Sequence, residues 1–263
     1  MIRALFSAAS GMTAQQLNVD NIAHNLANAN TTGFKMRRAQ FQDLMYQNMI
    51  QPGASAGQQT VVPTGLQLGL GTRAASNEII FSQGNFASTS NPLDLVIQGR
   101  GFFQIRRPSG ELAYTRAGSF HLDKDGSMVT SDGDPLEPQV TIPKDAQSIT
   151  IATDGTVSYT QPGQTAAQVA GQIQLATFQN PSGLTSLGQN LYTPTDASGD
   201  PITGLPGGQE GIGSLLQGYL EQSNVSVVDE FINLIVSQRA YEANSKVVKA
   251  ADEMYQEVNN ITR

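Results

Sequence analysis

Residue types that carry out catalysis or bind metals are sparse in this sequence. The chain has no cysteine and only two histidines, His24 and His121, which lie far apart. Thiolate chemistry is therefore excluded, and a histidine-based catalytic or metal site is not expected. Four aspartates lie within residues 123–134, but they lack the spacing and closing glutamate of an EF-hand, which favours turn carboxylates. The Gly-Arg-Gly at residues 99–101 lacks the third glycine of a dinucleotide-binding loop.

No P-loop, nucleophile elbow or zincin motif occurs either. We therefore expect no catalytic residues, no metal, no cofactor and no enzymatic activity. A hydrolase that uses acidic residues of the middle of the chain is a competing hypothesis, but no sequence feature favours it. A binding module with helical tails is another.

The composition narrows the class of partner. The net charge is -7 and the isoelectric point is about 4.8, which argues against nucleic acid because phosphates require a basic surface. Charged residues make up 14% of the chain, against about 25% in typical soluble domains. Such a surface can approach copies of itself without strong repulsion. No apolar run approaches the roughly 20 residues of a membrane span, and the start lacks the apolar core of a cleaved secretory signal.

One set of polar residues does call for a partner. Asparagines at positions 18, 21, 25 and 28 are spaced three, four and three residues apart, so they share one face of a helix. Asparagine is a mediocre helix former. Two interpretations stay open: a solvated face, or amides that hydrogen-bond a neighbouring helix and fix its register.

Apolar periodicity predicts the helix that carries these amides. Four residues recur every seven positions and form a coiled-coil-like seam that runs to about Ala29. They are Leu5, Met12, Val19 and Leu26. Gly11 interrupts the helix, so we expect flexibility or the close approach of another helix there.

The last forty residues predict a second helix of about 35 residues. Ser226 lies three positions before Asp229, which resembles a capping box, and the first turn is acidic. Two heptad series follow, Val227, Leu234, Tyr241, Val248 and Tyr255 in one, and Ala240, Val247, Met254 and Ile261 in the other. Because isolated helices are marginal in water, we expect the two terminal helices to pair. The alternative is two ordinary core helices of one globular domain.

Between these helices the sequence is rich in predicted strands. Turns at Ser109-Gly110, Asp125-Gly126 and Asp154-Gly155 are flanked by alternating apolar residues, a pattern typical of antiparallel hairpins. Proline and glycine interrupt residues 46–73, which predicts an extended arm or linker.

These patterns predict an α+β fold. It combines paired N- and C-terminal coiled-coil-like helices, which form a discontinuous helical domain, with a central antiparallel β-rich domain and an extended arm. The predicted boundaries are 1–35 with 225–263 for the helical domain, 36–76 with 205–224 for the connecting arm region, and 77–204 for the β-rich outer domain.

The stretch NLANANTTGFKMRRAQF, Asn25 to Phe41, resembles the signature of bacterial flagellar rod and hook proteins, an axial protein family. Further similarity begins at Gly84, Tyr114 and Ser223, and it covers the chain apart from variable parts between about Pro138 and Gly211. The signature positions here are Asn18, Asn21, Asn25, Leu26, Asn28, Thr32, Gly33, Phe34 and Lys35.

The resemblance implies a structural subunit of a rigid hollow helical polymer in the flagellar basal body, a rod that crosses the periplasm to the outer membrane. Paired terminal helices would form an inner tube, and they would be disordered in the monomer. The implied partners are copies of itself, proximal rod and hook proteins, surrounding periplasmic and outer-membrane ring proteins and the flagellar type III export apparatus. Export would use no cleaved signal peptide. No nucleic acid and no small-molecule substrate is implied.

The resemblance also assigns roles to residues. We expect the first heptad series (Leu5, Met12, Val19, Leu26) to pack on Leu234, Tyr241, Val248 and Tyr255 during subunit assembly. A stiffening arm would brace adjacent subunits through Gln51, Pro52, Gly53, Val61, Val62 and Pro63. The arm and the chain length favour a rod subunit; a hook subunit or a proximal rod subunit is the alternative. The basic cluster Lys35, Arg37 and Arg38 has no identifiable partner in the sequence.

Overall fold

The computed structural model describes residues 2–53, 63–163, 166–208 and 211–261. The chain divides into two compact units. The helical unit contains Met1–Ala27, Arg37–Glu78 and Ser226–Arg263, and the β unit contains Asn28–Met36 and Ile79–Val225. Each unit is therefore discontinuous in sequence.

Two long helices dominate the helical unit. Its elements are α1 (Ile2–Ala27), β1 (Arg37–Asp43), β2 (Tyr46–Ile50), β3 (Leu66–Gly69), β4 (Thr72–Ile79) and α2 (Val227–Ile261). The Ser226 hydroxyl accepts a hydrogen bond from the amide of Asp229 at 3.5 Å, which caps α2 as the sequence predicts. No described helix is both long and apolar enough to cross a membrane.

The described part of residues 36–76 contains regular secondary structure. It forms four strands, in which β1 pairs with β4 and β2 pairs antiparallel with β3. The prolines and glycines that exclude a helix here lie largely at the ends of strands, with Pro52 and Gly53 in the turn after β2. They therefore delimit the β2–β3 hairpin, and the predicted extended arm is not confirmed.

The β unit is built from short antiparallel strands. They are β5 (Phe86–Ser88), β6 (Leu95–Gln98), β7 (Phe102–Arg106), β8 (Leu112–Thr115), β9 (His121–Leu122), β10 (Met128–Val129), β11 (Leu136–Glu137), β12 (Ser148–Ile151), β13 (Thr156–Thr160), β14 (Gln168–Gln172), β15 (Leu175–Thr177), β16 (Thr185–Gly188), β17 (Leu191–Thr193), β18 (Ile202–Gly204), β19 (Ser214–Gln217) and β20 (Tyr219–Glu221), with a short 3-10 turn at Pro181–Gly183.

Strand β7 lies at the centre of the largest sheet. The order is β16-β17-β8-β7-β15-β18, and β11 also pairs with β7. Strands β12, β13 and β14 form a second sheet, while β19 pairs with β6, β20 with β5, and β10 with β9. The hairpins predicted at Ser109-Gly110, Asp125-Gly126 and Asp154-Gly155 are confirmed as β7–β8, β9–β10 and β12–β13.

Alternation along β7 divides the buried residues of this unit between two clusters. Phe103 and Ile105 belong to the main aliphatic core, whose members include Leu95, Phe120, Met128, Leu136 and Leu175. Phe102 belongs to an aromatic cluster with Tyr114, Phe178 and Tyr192. Phe103 and Phe120 meet edge to face at 5.1 Å between ring centroids, a favourable arrangement for aromatic pairs.

The α+β class, with terminal helices and a central antiparallel β-rich region, is confirmed. Coiled-coil packing of the helices and the predicted domain boundaries stay predictions. The structure groups residues 37–78 with the helices, where the sequence suggests a separate connecting region.

Candidate assembly surfaces

Small and polar residues, rather than large apolar ones, hold α1 against α2. Asn18 Nδ2 donates to Ser237 Oγ at 2.8 Å, and Asn25 Nδ2 donates to Glu230 Oε2 at 3.4 Å. A Cβ atom at Gly11 would lie 2.9 Å from Asn244 Nδ2. The helices therefore approach closely at Gly11, where a larger side chain would meet Asn244.

These contacts follow a strict register. On α1 the contacting residues step by seven from 25 to 18 to 11, and on α2 they step by seven from 230 to 237 to 244. The two helices are therefore antiparallel, and the contact repeats every two turns. We call these six residues the polar ladder. Ala251, one further step of seven along α2, is also buried.

The eight predicted assembly residues flank the polar ladder. Leu5, Met12, Val19, Leu26, Leu234, Val248 and Tyr255 are half-buried, and Tyr241 is exposed. Val19 and Tyr241 line the same groove, of about 380 Å³, on the helix pair. The single chain thus brings members of both series together without fully burying any of them.

A broad apolar surface on α2 has no cover within the described residues. Val228 is 70% exposed, Val236 is 61% exposed, and Ile232 and Ile235 are each 55% exposed. Together with Phe231 they form what we call the α2 stripe. Contiguous exposed apolar surface of this kind marks an interaction site in a folded protein.

The β2–β3 hairpin exposes a second apolar surface. Its exposed side chains include Met45, Tyr46, Met49, Ile50, Leu66 and Leu68. Of the predicted stiffening residues, Gln51, Pro52, Gly53 and Pro63 are exposed around this hairpin. Val61 and Val62 lie outside the described residues.

The asparagines of the signature make specific hydrogen bonds. Asn25 accepts from the Arg37 amide at 2.9 Å and donates to the Arg37 carbonyl at 2.8 Å, which ties α1 to β1. Asn21 Oδ1 accepts from Asn77 Nδ2 at 2.7 Å. Asn28 Oδ1 accepts from Thr31 Oγ1 at 3.2 Å. The stripe as a whole is therefore engaged with protein partners rather than solvated.

The second half of the signature belongs to the β unit. Gly33 has a φ of +71°, and a Cβ atom there would lie 2.6 Å from the backbone nitrogen of Ala117. Its amide donates to the Glu221 carbonyl at 2.8 Å, while the Thr32 carbonyl accepts from Asn190 at 3.0 Å. Glycine is required at this position because the backbone is left-handed and closely packed.

Lys35 and Arg116 share one buried carboxylate. Lys35 Nζ lies 2.6 Å from Glu221 Oε1, and Arg116 Nε lies 3.1 Å from Glu221 Oε2, with all three side chains buried. Lys35 also donates to the Ser82 carbonyl at 2.7 Å. Burial lowers the pKa of Lys35 and the pKa of Arg116, and the charge of Glu221 opposes both shifts.

This network gives Lys35, one of the three residues of the basic cluster, a partner that the sequence does not reveal. Arg38 forms an exposed ion pair with Glu78 at 3.5 Å, and Arg37 contributes its backbone to Asn25. Arg116 and Glu221 were missed by sequence reasoning, since nothing local links positions so far apart. Within the described ranges, no group of three or more histidine, aspartate or glutamate side chains could hold a metal ion.

Three protein-family models match segments of the chain. The model described as "Flagella basal body rod protein" matches residues 5–35, "Flagellar hook protein FlgE/F/G D1 domain" matches residues 96–159, and "Flagellar basal body rod FlgEFG protein C-terminal" matches residues 216–261. The matched segments include α1, β7 with β8, and α2.

Curated relatives extend this similarity over the whole length. The flagellar basal-body rod protein FlgG of Buchnera aphidicola subsp. Schizaphis graminum is 49% identical over 99% of this chain and 100% of its own. That of Caulobacter vibrioides is 49% identical over 99% of each chain. That of Borreliella burgdorferi is 47% identical over 100% of each.

Proposed function

The chain belongs to the flagellar basal-body rod protein family, and from that premise we propose that it is a structural subunit of the bacterial distal rod. The observation that carries this proposal is whole-length identity of 47–49% to proteins named FlgG. Because that identity spans both helices and the β unit, it favours a rod subunit over a hook subunit or a proximal rod subunit.

The rod would be an open helical polymer of this chain. A heterologous contact, in which one surface binds a different surface of the next copy, generates such a polymer when it does not close. The α2 stripe supports this proposal, since covering one valine or isoleucine side chain contributes about 1.5–3 kcal/mol. A stack of copies would form a hollow, rigid shaft that transmits motor torque to the hook.

Within the rod, α1 and α2 would form a coiled-coil-like pair in the inner tube. The polar ladder fixes their register, because a slip by one residue would break the Asn18–Ser237 and Asn25–Glu230 contacts together. The flanking heptad residues, from Leu5 to Leu26 and from Leu234 to Tyr255, would be covered completely only when neighbouring copies pack on this pair.

The β2–β3 hairpin would brace adjacent subunits. Its exposed methionine, leucine and isoleucine side chains support this role. The predicted stiffening residues lie in sequence between β2 and β3; they are Gln51, Pro52, Gly53, Val61, Val62 and Pro63. The proposed neighbours are proximal rod and hook proteins at the ends of the rod and periplasmic and outer-membrane ring proteins around it. We propose export through the flagellar type III apparatus without a cleaved signal peptide.

Electron microscopy of basal bodies from cells that lack this gene tests the proposal. We expect a short proximal rod without the outer ring or hook, restored by the wild-type gene. A complete ringed rod that lacks only the hook would identify a hook subunit instead. Normal basal bodies would contradict any role in the axial structure.

A further inference from the structure

A cavity of about 420 Å³ in the β unit has no assigned role. Phe81, Phe102 and Phe178 form its apolar walls, and Arg100 and Arg116 supply its charges. We call it the β7 cavity because Phe102 is the first residue of strand β7. Among the described residues that line it there is no carboxylate.

The charge beside this cavity is unbalanced. Arg116 Nη1 donates to the carbonyls of Gly99 and Gly101 at 2.9 and 2.7 Å, and Nε contacts Glu221. Glu221 also pairs with Lys35. One buried carboxylate therefore serves two buried cations, and the arginine is always protonated. Buried charges are normally paired, so the cavity favours an incoming anion.

The aromatic walls of the cavity also favour an anion that carries an apolar group. The guanidinium carbon of Arg116 lies 5.9 Å from the centre of the Phe102 ring, and Phe81 and Phe178 meet Phe102 edge to face. Arg100 is exposed beside these rings. A ligand that fits would join a carboxylate to an aliphatic or aromatic group.

The same chain carries that combination on its own surface. Three turns of the β unit expose a carboxylate beside an exposed leucine or isoleucine: Glu111–Leu112, Leu122–Asp123 and Asp200–Ile202. We propose that the β7 cavity is a docking site for one of these carboxylate–apolar turns from a second copy of the chain. The inference rests on the proposed function, because a polymer holds β units at high local concentration.

Cross-linking in purified basal bodies tests this docking, and the native chain contains no cysteine that could interfere. Three double variants combine Gln179→Cys, at an exposed residue that lines the cavity, with Ser109→Cys, Lys124→Cys or Thr203→Cys. These positions lie beside the three turn carboxylates, so the charges that would drive docking are kept. A short bis-maleimide is preferable to disulfide formation, since a disulfide requires Cα atoms within about 7 Å. The matched control combines Gln179→Cys with Lys144→Cys, beside Asp145, an exposed carboxylate that has no exposed large apolar neighbour.

We expect one of the three pairs to give about tenfold more cross-linked dimer than the Lys144 pair, because docking raises the effective concentration of that turn. For the same turn, Arg100→Glu should reduce the yield of rods, and reversal of the turn carboxylate to arginine should restore it. Arg100 is exposed, so these variants test the contact rather than folding of the β unit.

Equal cross-linking of all four pairs would overturn the inference. So would a normal yield of Arg100→Glu rods. Protection of Gln179→Cys from a maleimide by phenylacetate, without any specific cross-link, would instead assign the cavity to a small organic anion. Failure of the proposed function is distinguishable, because in that case the deletion strain would still form normal basal bodies.

Discussion

Different interactions stabilise the interior of each of the two units. The β unit buries large apolar residues such as Phe103, Ile105 and Leu136 completely. The described residues that α1 and α2 bury are small or polar apart from Ile22, while the α2 stripe remains exposed. Hydrophobic burial is the dominant stabilising term in folding.

This difference in buried surface implies that the β unit folds within one chain, whereas the helical unit is completed by assembly. The β unit buries a large apolar core within one chain, so it should fold in a single copy. The helical unit specifies a register through hydrogen bonds that contribute only about 0.5–1.5 kcal/mol each, and it leaves its apolar surface for neighbouring copies. We therefore expect changes in the β unit to affect folding and changes on α2 to affect polymerisation.

The largest effect is expected on the α2 stripe. Ile235→Asp should abolish rods, because assembly would bury an unpaired carboxylate. The free energy of unfolding of the free chain should change by no more than about 0.5 kcal/mol, as for other surface substitutions. Rod yield by electron microscopy and unfolding by calorimetry measure the two effects. Asn233→Asp, at an exposed polar position of the same helix, is the control and should permit assembly.

In the β unit the expected effect is on folding itself. Phe103→Ala should destabilise the free chain by about 3–5 kcal/mol, because it leaves a cavity in a fully buried site. Urea unfolding followed by tyrosine fluorescence measures this change. Val169→Ala removes an apolar side chain that is 68% exposed and should have little effect. Equal losses from both substitutions would contradict the proposed core.

In the buried ion network, removal of the shared carboxylate should destabilise the protein more than removal of one cation. Glu221→Gln leaves Lys35 and Arg116 buried without a counter-charge, so it should cost about 3–5 kcal/mol in unfolding free energy. Lys35→Met leaves Glu221 paired with Arg116 and should cost less. Chemical denaturation of both variants gives the ranking. A larger loss for Lys35→Met would contradict the sharing of one carboxylate by two cations.

The polar ladder should show smaller, coupled effects. Asn18→Ala should destabilise isolated rods toward urea by about 1 kcal/mol per subunit. The double variant with Ser237→Ala should be less damaging than the sum of the single variants, since both remove the same hydrogen bond. Strict additivity in this cycle would mean that the two residues do not interact in the rod.

The smallest effect concerns pH. Burial raises the pKa of Glu230, with a hydrogen bond from Asn25 opposing the shift and Asp229 adding to it. The folded pKa therefore lies above the unfolded pKa, so the contribution of this group is present at low pH and is lost as pH rises through the folded pKa. Glu230→Gln should remove that part of the pH dependence of rod dissociation in urea. Glu257→Gln, at an exposed site on α2, should leave it unchanged.

Local patterns in the sequence predict many elements of this fold, but they do not predict which distant residues contact each other. Heptad repeats locate α1 and α2, and Asp-Gly turns locate two of the hairpins. The ladder partners Ser237 and Asn244 were missed because they interrupt the apolar seam of α2. Strands β1 to β4 were missed because the prolines and glycines between them suggested a linker.

The Lys35–Glu221 pair was beyond sequence reasoning for another reason. The two residues are 186 positions apart, and neither position belongs to a periodic pattern. The apolar character of α2 is visible in the sequence, but which of its faces remains exposed depends on which residues line the polar ladder. That choice becomes apparent only when α1 is placed against it.

Amide hydrogen exchange on the free chain and on isolated rods tests most directly whether neighbouring copies complete the helical unit. We expect amides of β7 and β8 to be protected in both samples, because the β unit folds alone. Amides of α1 and α2 should exchange rapidly in the free chain and become protected in rods. Equal protection of α1 and α2 in the two samples would contradict the account, since the helix pair would then be stable without its neighbours.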